Sequence, residues 1–465
     1  MTAGAAGMSV HAKSTPKGRS GQVKDNRLAE IRKNIVGIDE PVETEDGTRR
    51  PAVNFDNAST TPALLPVMEE VNRKLRMYGS IGRGFSQKSG YSTDAYNETR
   101  RKVLDFLNAR ESDYACVYVN NTTDGINKLA SALTLSREDV VLATRLEHHS
   151  NDLPWRERCR VLYADVDELG RLRYDELERH LRENEVRYVT VTAASNVTGY
   201  VTDVHKVARM AHQYGAKIIV DGAQITAHRA FSMEGESDEE NIDFFVFSAH
   251  KMYAPYGGGA VVALKEELDM HMPRVYGGGT VDIVSDAKQY YDRQPRSYEA
   301  GSPNYCGIVA LGKAIDVLTG VGFDEIREHD LRLNRRLIDG LLKLGMKVYG
   351  DTEHIEDRVG VVTFNDPKTN SFLLAEKIGR MGAIATRRGG FCAHPYVWRL
   401  LGIADDEVMD YRKCADAKTP GMIRVSFGIY NTEDEVDELL GLLPAAIEAV
   451  KKEHGDNPIE APDAC

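Results

Sequence analysis

Lys251 closes the run Asp243-Phe-Phe-Val-Phe-Ser-Ala-His-Lys251, behind Asp221-Gly-Ala-Gln224 and ahead of Gly257-Gly-Gly259. A lysine at the end of an apolar, β-prone run loses part of its hydration. Desolvation and cationic neighbours lower its pKa and free a nucleophilic amine, which forms a Schiff base with an aldehyde. Asp221 ends an earlier apolar run, Ala216-Lys-Ile-Ile-Val-Asp221. A carboxylate there can keep a pyridinium nitrogen protonated. In isolation each residue has a plainer reading: a surface lysine, and an aspartate capping the next helix. In register they point to pyridoxal 5′-phosphate (PLP), an electron sink that the protein orients and tunes.

The phosphate of such a cofactor needs donors at a helix N-terminus. Asn121-Thr-Thr123-Asp-Gly125-Ile-Asn127 joins a strand-like run to a helix-like one and fits that need. Thr122 and Thr123, with Ser248 and His250 from the lysine loop, are the candidate phosphate contacts. A helix cap and a phosphate site are compatible, because both use the same orphan amides.

The order Asn196-Val-Thr-Gly199, Asp221-x-x-Gln224, Ser248-x-His250-Lys251 resembles the class V aminotransferase family of fold-type I PLP enzymes. Within it the nearest likeness is to group II cysteine desulfurases and selenocysteine lyases, from about residue 54 to 443. The resemblance implies that Gln224 faces the ring hydroxyl and that His148, in Glu147-His148-His149-Ser-Asn151, stacks on the ring. An imidazole there could also shuttle protons, since its pKa lies near neutrality. His149 has no chemistry in this reading. Asn196 is expected at the ring hydroxyl or the substrate carboxylate. Arg424, in Ile423-Arg-Val-Ser-Phe-Gly-Ile-Tyr430-Asn-Thr432, corresponds to the arginine that binds the α-carboxylate, a task its planar fork suits. Arg387 is a second candidate for that carboxylate. Tyr298-Glu-Ala-Gly-Ser302-Pro-Asn304 matches a segment whose hydroxyl reaches the partner's phosphate, so Ser302 implies a homodimer with shared sites.

Arg387-Arg-Gly-Gly-Phe-Cys392-Ala-His394-Pro395 decides the reaction. Group II desulfurases carry Arg-x-Gly-His-His-Cys-Ala-x-Pro at this place. By that match Cys392 takes sulfur from L-cysteine, leaving alanine and a persulfide that passes to an acceptor protein by thiol exchange. Arg387, Arg388 and His394 are neighbours that could favour its thiolate. Two departures remove imidazoles: Gly390-Phe391 stands for His-His, and Gly82 stands where the family has His before Arg-Gly. The competing reading is another class V lyase or aminotransferase, acting on a modified cysteine or other amino acid, with Cys392 incidental.

The elements that must position these residues follow from periodicity. The chain has 465 residues, 42% hydrophobic and 28% charged, enough for a large core. Short β-branched runs at 114–120, 139–144, 186–193, 217–221, 244–248 and 259–264 alternate with helix-like stretches at 124–133, 174–183 and 204–214. Strands separated by helices predict an α/β fold with a mostly parallel sheet flanked by helices, its chemistry beyond the strands' carboxyl ends. A smaller α+β C-terminal domain is expected from 307 to 455, with helices at 308–318, 324–344 and 432–453 and strands at 347–348, 359–364 and 422–427. Residues 53–306 form the large PLP-binding domain in this reading. A disordered tail is expected over 1–26, a helix at 25–37, a polar linker at 39–50, and a second tail at 456–465. Net charge is −12 with no basic stripe, so nucleic acid is an unexpected partner. No apolar run approaches the roughly 18 residues that span a bilayer, and no secretory signal is visible. The six scattered cysteines contain no Cys-x-x-Cys pair, which argues against a disulfide framework or metal site and for a reducing cytoplasm.

Overall fold

The computed structural model describes residues 20–455 except 83, 273–274 and 412–419; the expected tail at 456–465 and residues 1–19 of the first tail lie outside them. Seven strands form the main sheet: β1 Tyr114–Val119, β2 Val140–Thr144, β3 Arg160–Ala164, β4 Val186–Thr192, β5 Lys217–Asp221, β6 Phe244–Ser248 and β7 Gly259–Leu264. Their order is β1-β7-β6-β5-β4-β2-β3. β7 pairs antiparallel with both β1 and β6, and the remaining pairs are parallel. A mostly parallel sheet with helices on its faces is the expected class. Six of its strands were visible as apolar runs. The seventh, β3, was not: it is a half-exposed edge strand, Arg-Val-Leu-Tyr-Ala, and lacks the continuous hydrophobicity of a central strand.

Both faces of the sheet are buried. Tyr114, Cys116 and Tyr118 of β1 enter one hydrophobic cluster, while Ala115, Val117 and Val119 enter another. Phe245 and Phe247 of β6 divide from Phe244 and Val246 in the same way. The period-2 alternation of a strand thus feeds two cores.

Four further strands make the second sheet: β8 Lys347–Tyr349, β9 Val361–Asn365, β10 Arg387–Gly389 and β11 Met422–Ser426, in the order β8-β9-β11-β10. Val362, Phe364, Ile423 and Val425 join Leu333, Leu374 and Leu439 in its core. The alternate residues, Thr363, Arg424 and Ser426, therefore face the other way. Val53 and Phe55 belong to this core too, and strand Val53–Asn54 pairs in parallel with Ile384–Ala385.

Three expectations need correction. Residues 20–26, expected in the disordered tail, are helical: the first helix spans Ser20–Lys33 and ends before Gly37, which turns with φ 78°. The linker at 39–50 contains a hairpin, Pro41–Glu43 against Arg49–Pro51. The second region does not open at Gly307. Helix Tyr305–Val321 packs Ile308, Leu311 and Leu318 into the main sheet's core, and the change of core falls after it. Helix Gln87–Phe106 is also new, because its serines, threonines and charges hide a buried face of Tyr96, Val103 and Leu104.

The helix after β1, Thr122–Ala132, lies so close to the sheet that a Cβ on Gly125 would meet Val246 Cγ1 at 2.5 Å. Gly125→Ala should therefore destabilise the protein by about 1–3 kcal/mol through overpacking, measured by urea unfolding against wild type.

Candidate active site

One cavity, about 560 Å³, opens beyond the carboxyl ends of β1, β4, β5 and β6. Thr122, Thr123, His148, Asn196, Asp221, Gln224, Ser248, His250, Lys251, Arg387, Cys392 and Arg424 all line it. Ser302 does not; it is exposed on the loop before helix Tyr305–Val321. A cavity of several hundred Å³ with a few convergent polar groups is the usual form of a small-molecule site.

At one end stands the N-terminus of helix Thr122–Ala132. Asn121 caps it by accepting from the Asp124 amide at 2.9 Å. The Thr122 amide donates to Ser248 Oγ at 2.7 Å, and the two hydroxyls share a further 2.7 Å contact. Thr123 Oγ1 meets Ser150 Oγ at 2.6 Å. Hydroxyls and helix-end amides converge without a carboxylate among them, which is the donor set a phosphate requires.

At the floor, Asp221 ends β5 and Lys251 lies in the 3₁₀ turn Ala249–Lys251 that follows β6. Burial pushes the Asp221 carboxyl up, against the Ala223 amide and the nearby Lys251 charge. Among the described residues its side chain accepts a single hydrogen bond, from the Ala223 amide at 2.9 Å. A buried carboxylate this sparsely satisfied fits a protonated ring nitrogen. Burial also lowers Lys251 to about 8, although Asp221 pulls the other way. Gln224 donates through Nε2 to Ala58 O at 2.8 Å, and that amide's second hydrogen is left for the cavity.

His148 is held by the turn after β2. Glu147 accepts from Thr144 Oγ1 at 2.6 Å, Asn151 Nδ2 at 2.6 Å and the Thr192 amide at 3.1 Å. The Ser150 amide donates to His148 Nδ1 at 3.1 Å, so the neutral ring carries its proton on Nε2. Burial first, then the Lys251 charge, lowers His148 to about 3 and keeps that tautomer uncharged.

The second sheet supplies the opposite wall. Arg424, on the cavity face of β11, is 2% exposed. Its Nη1 donates to Asn196 O at 2.9 Å, and its Nη2 to Asp56 Oδ1 at 2.9 Å and Ser59 Oγ at 2.8 Å. Cys392 follows β10 on a sharp turn, with φ 101° at Gly389, 50° at Phe391 and 54° at Cys392. Phe391 stacks its ring 5.0 Å from the Arg424 guanidinium, and its carbonyl accepts from Asn196 Nδ2 at 2.8 Å. The turn places an exposed thiol at the cavity wall.

His149 and the 55–61 segment had no role in the sequence reading. His149 ties down the cysteine turn: its amide donates to Cys392 O at 2.6 Å, and its Nε2 accepts from the His394 amide at 3.3 Å. The His394 ring occupies the space beside Gly390, where a Cβ would lie 2.2 Å from its Cδ2. One imidazole thus stands where a side chain at 390 would otherwise project. The 55–61 segment was also missed. Thr61 accepts from the Tyr253 amide at 2.7 Å and its own amide donates to His250 O at 3.0 Å, which braces the lysine turn. Only its polar run after Val53 could have signalled it.

Comparison with known proteins places these features in a family. The model of the aminotransferase class-V family matches residues 53–439. A probable cysteine desulfurase of Halalkalibacterium halodurans is 31% identical over 409 residues, 86% of this chain and 94% of the relative. A cysteine desulfurase of an Enterobacter species is 32% identical, covering 87% of this chain and 96% of the relative. Among solved structures, the apo cysteine desulfurase of Thermococcus onnurineus superposes with a TM-score of 0.78 at 27% identity, over 90% of this chain and 98% of that one.

The lowered Lys251 fixes a chemical expectation. Burial penalises the ammonium, so the free amine should predominate above pH about 8 instead of above 10.5. In cofactor-free protein, borohydride-trapped labelling of Lys251 by pyridoxal should rise through pH about 8, while surface lysines follow near their ordinary pKa of about 10.4. Peptide mapping across pH 6–11 measures both.

Proposed function

We propose a reaction for this chain from one premise: it belongs to the aminotransferase class-V family. The reaction is PLP-dependent cysteine desulfuration, L-cysteine and the Cys392 thiol giving L-alanine and a Cys392 persulfide. The single observation that carries it is that Cys392 lines the same cavity as Lys251, Asp221 and Arg424. PLP, when bound, supplies the electron sink that weakens bonds at the substrate's α- and β-carbons.

The chain's own groups divide the remaining work. Lys251 offers an amine, freed near neutrality, to the cofactor's carbonyl. Asp221 holds the proton on the ring nitrogen, and Gln224 and Asn196 flank the ring hydroxyl. Ser248, His250, Thr122, Thr123 and the amides at the helix end hold the phosphate, with Ser302 of a second protomer completing it in a homodimer. His148 covers the ring, with Nδ1 held by the Ser150 amide and Nε2–H left to donate toward the substrate. Arg424 grips the α-carboxylate, with Arg387 beside it. Cys392 Sγ attacks the substrate sulfur; the C–S bond breaks, an S–S bond forms, and the β-carbon takes the proton that completes alanine. An acceptor thiol then removes the persulfide sulfur by exchange. Cytoplasmic location fits this chemistry; among the described residues no single helix is long and apolar enough to cross a membrane.

Wild-type protein given L-cysteine without reductant should gain one sulfur on the Cys392 peptide, seen by mass spectrometry. Cys392→Ser should still bind cysteine yet release no sulfide. Full lyase turnover in that variant, with no persulfide on wild type, would transfer the assignment to a lyase or aminotransferase that leaves Cys392 idle. Arg424→Ala should raise KM for cysteine by about 10- to 100-fold, the loss of one charge-assisted contact of about 1.5–3 kcal/mol; steady-state kinetics at saturating cofactor tests this.

A further inference from the structure

In the turn after β2, His148 and Ser150 line the cavity and His149 between them does not. Its half-buried ring lies instead against the turn that carries Cys392. Two hydrogen bonds reach that turn from this one residue. The His149 amide donates to Cys392 O at 2.6 Å, and Nε2 accepts from the His394 amide at 3.3 Å. The neutral ring therefore carries its proton on Nδ1. Burial first, and then His394, lowers the His149 pKa and keeps the Nε2 lone pair available, although Asp152 opposes it.

The second bond answers a need of the backbone. His394 opens the helix His394–Leu401, whose first amides have no partner inside the helix. Ala393, at the cap position, has no side-chain acceptor to offer them. His149 supplies one from 245 positions away. The two rings also meet edge to face, with centroids 4.7 Å apart, and Trp398 backs the His394 ring at 5.3 Å. Gly390 lies outside the left-handed region, so its backbone would admit a side chain; the His394 ring is what excludes one. Gly389, Phe391 and Cys392 do lie in that region. Non-glycine residues stay there only where surrounding contacts over-determine them. Asn196 holds the turn at Phe391 O, and His149 holds it at Cys392 O and at the His394 amide.

We infer that His149 is the positioning residue for the Cys392 thiol: its ring fixes the turn at the cavity wall, so that sulfur transfer requires it while binding of cofactor and substrate does not. It acts through the turn and not on the reacting atoms. The inference rests on the reading of Cys392 as the sulfur acceptor and deepens it by naming the group that keeps the thiol in reach. Two consecutive imidazoles then divide the work, His148 at the cofactor ring and His149 at the thiol.

The test compares wild-type holoenzyme with His149→Ala and His149→Gln. Glutamine places a carbonyl oxygen close to the position of Nε2 and still accepts from the His394 amide. The backbone bond to Cys392 O is available in all three proteins, so the comparison isolates the ring. His149→Ala should lower kcat for alanine formation from L-cysteine by about 10- to 100-fold with KM nearly unchanged, the cost of a displaced reacting group. His149→Gln should recover most of that loss. Hydrogen exchange in the peptide spanning 388–398, read by mass spectrometry, should be about 3- to 10-fold faster in His149→Ala and near wild type in His149→Gln. A wild-type kcat in His149→Ala, in a protein whose wild type forms the Cys392 persulfide, would overturn the inference, and so would an equal loss in both variants. If wild type forms no persulfide, the reaction itself fails, and the exchange rates alone decide whether His149 holds the turn.

Discussion

A guanidinium that is 2% exposed must have its charge answered inside the protein, and here the answer comes from three distant parts of the chain. Arg424 sits on the second sheet, Asn196 beyond the end of β4, and Asp56 with Ser59 on the segment that enters the fold. Isolated, such a charge would cost several kcal/mol in lost hydration. Its neutralisation therefore dictates that the entering segment, the main sheet and the second sheet meet at one point. The cavity is what remains open around that point. The same entering segment braces the lysine turn through Thr61, so the two ends of the site share one support.

Strand alternation does the rest of the positioning. Ile423 and Val425 anchor β11 in its own core, which obliges Arg424, between them, to look across the seam. Ser248 and Asp221 are terminal residues of buried strands, so their side chains are held by strands whose neighbours are fixed on both faces. The cavity thiol, Cys392, is handled differently. It sits on a turn with three left-handed residues, tied by His149 on one side and Asn196 on the other. Non-glycine residues pay for that backbone only where surrounding contacts over-determine it.

Most of the parallel sheet was legible in the sequence because central strands read as continuous apolar runs bounded by glycine and polar turns. The place of the strand-end residues at the cavity was legible for the same reason: Asp221, Ser248 and Lys251 stand where such runs stop. What escaped was amphipathic or long-range. β3 is half exposed, and helix Gln87–Phe106 hides its core face among hydroxyls. The pairing of Asp56 with Arg424 spans 368 positions, and no local pattern encodes a partner so far away. His394 filling the space beside Gly390 is a packing relation, visible only once the turn is folded. Helix Tyr305–Val321 was assigned to the wrong core because its buried face has the same composition whichever sheet it covers.

The meeting of chain start and chain end at Arg424 also has a temporal side. During synthesis the seven strands of the main sheet have all been made once residue 264 is added. The cavity-lining residues from 121 to 251 belong to that early part. Asp56 is made before any of it, yet its partner arginine arrives some 368 positions later. The nascent chain thus holds one side of the cavity long before Arg424 can close the other, and domains that fold as units during translation do so N-terminal first. Until the last strand is delivered, an aspartate near the beginning of the chain waits for its counter-charge, and the second hydrophobic core, which needs both Phe55 and Leu439, waits with it.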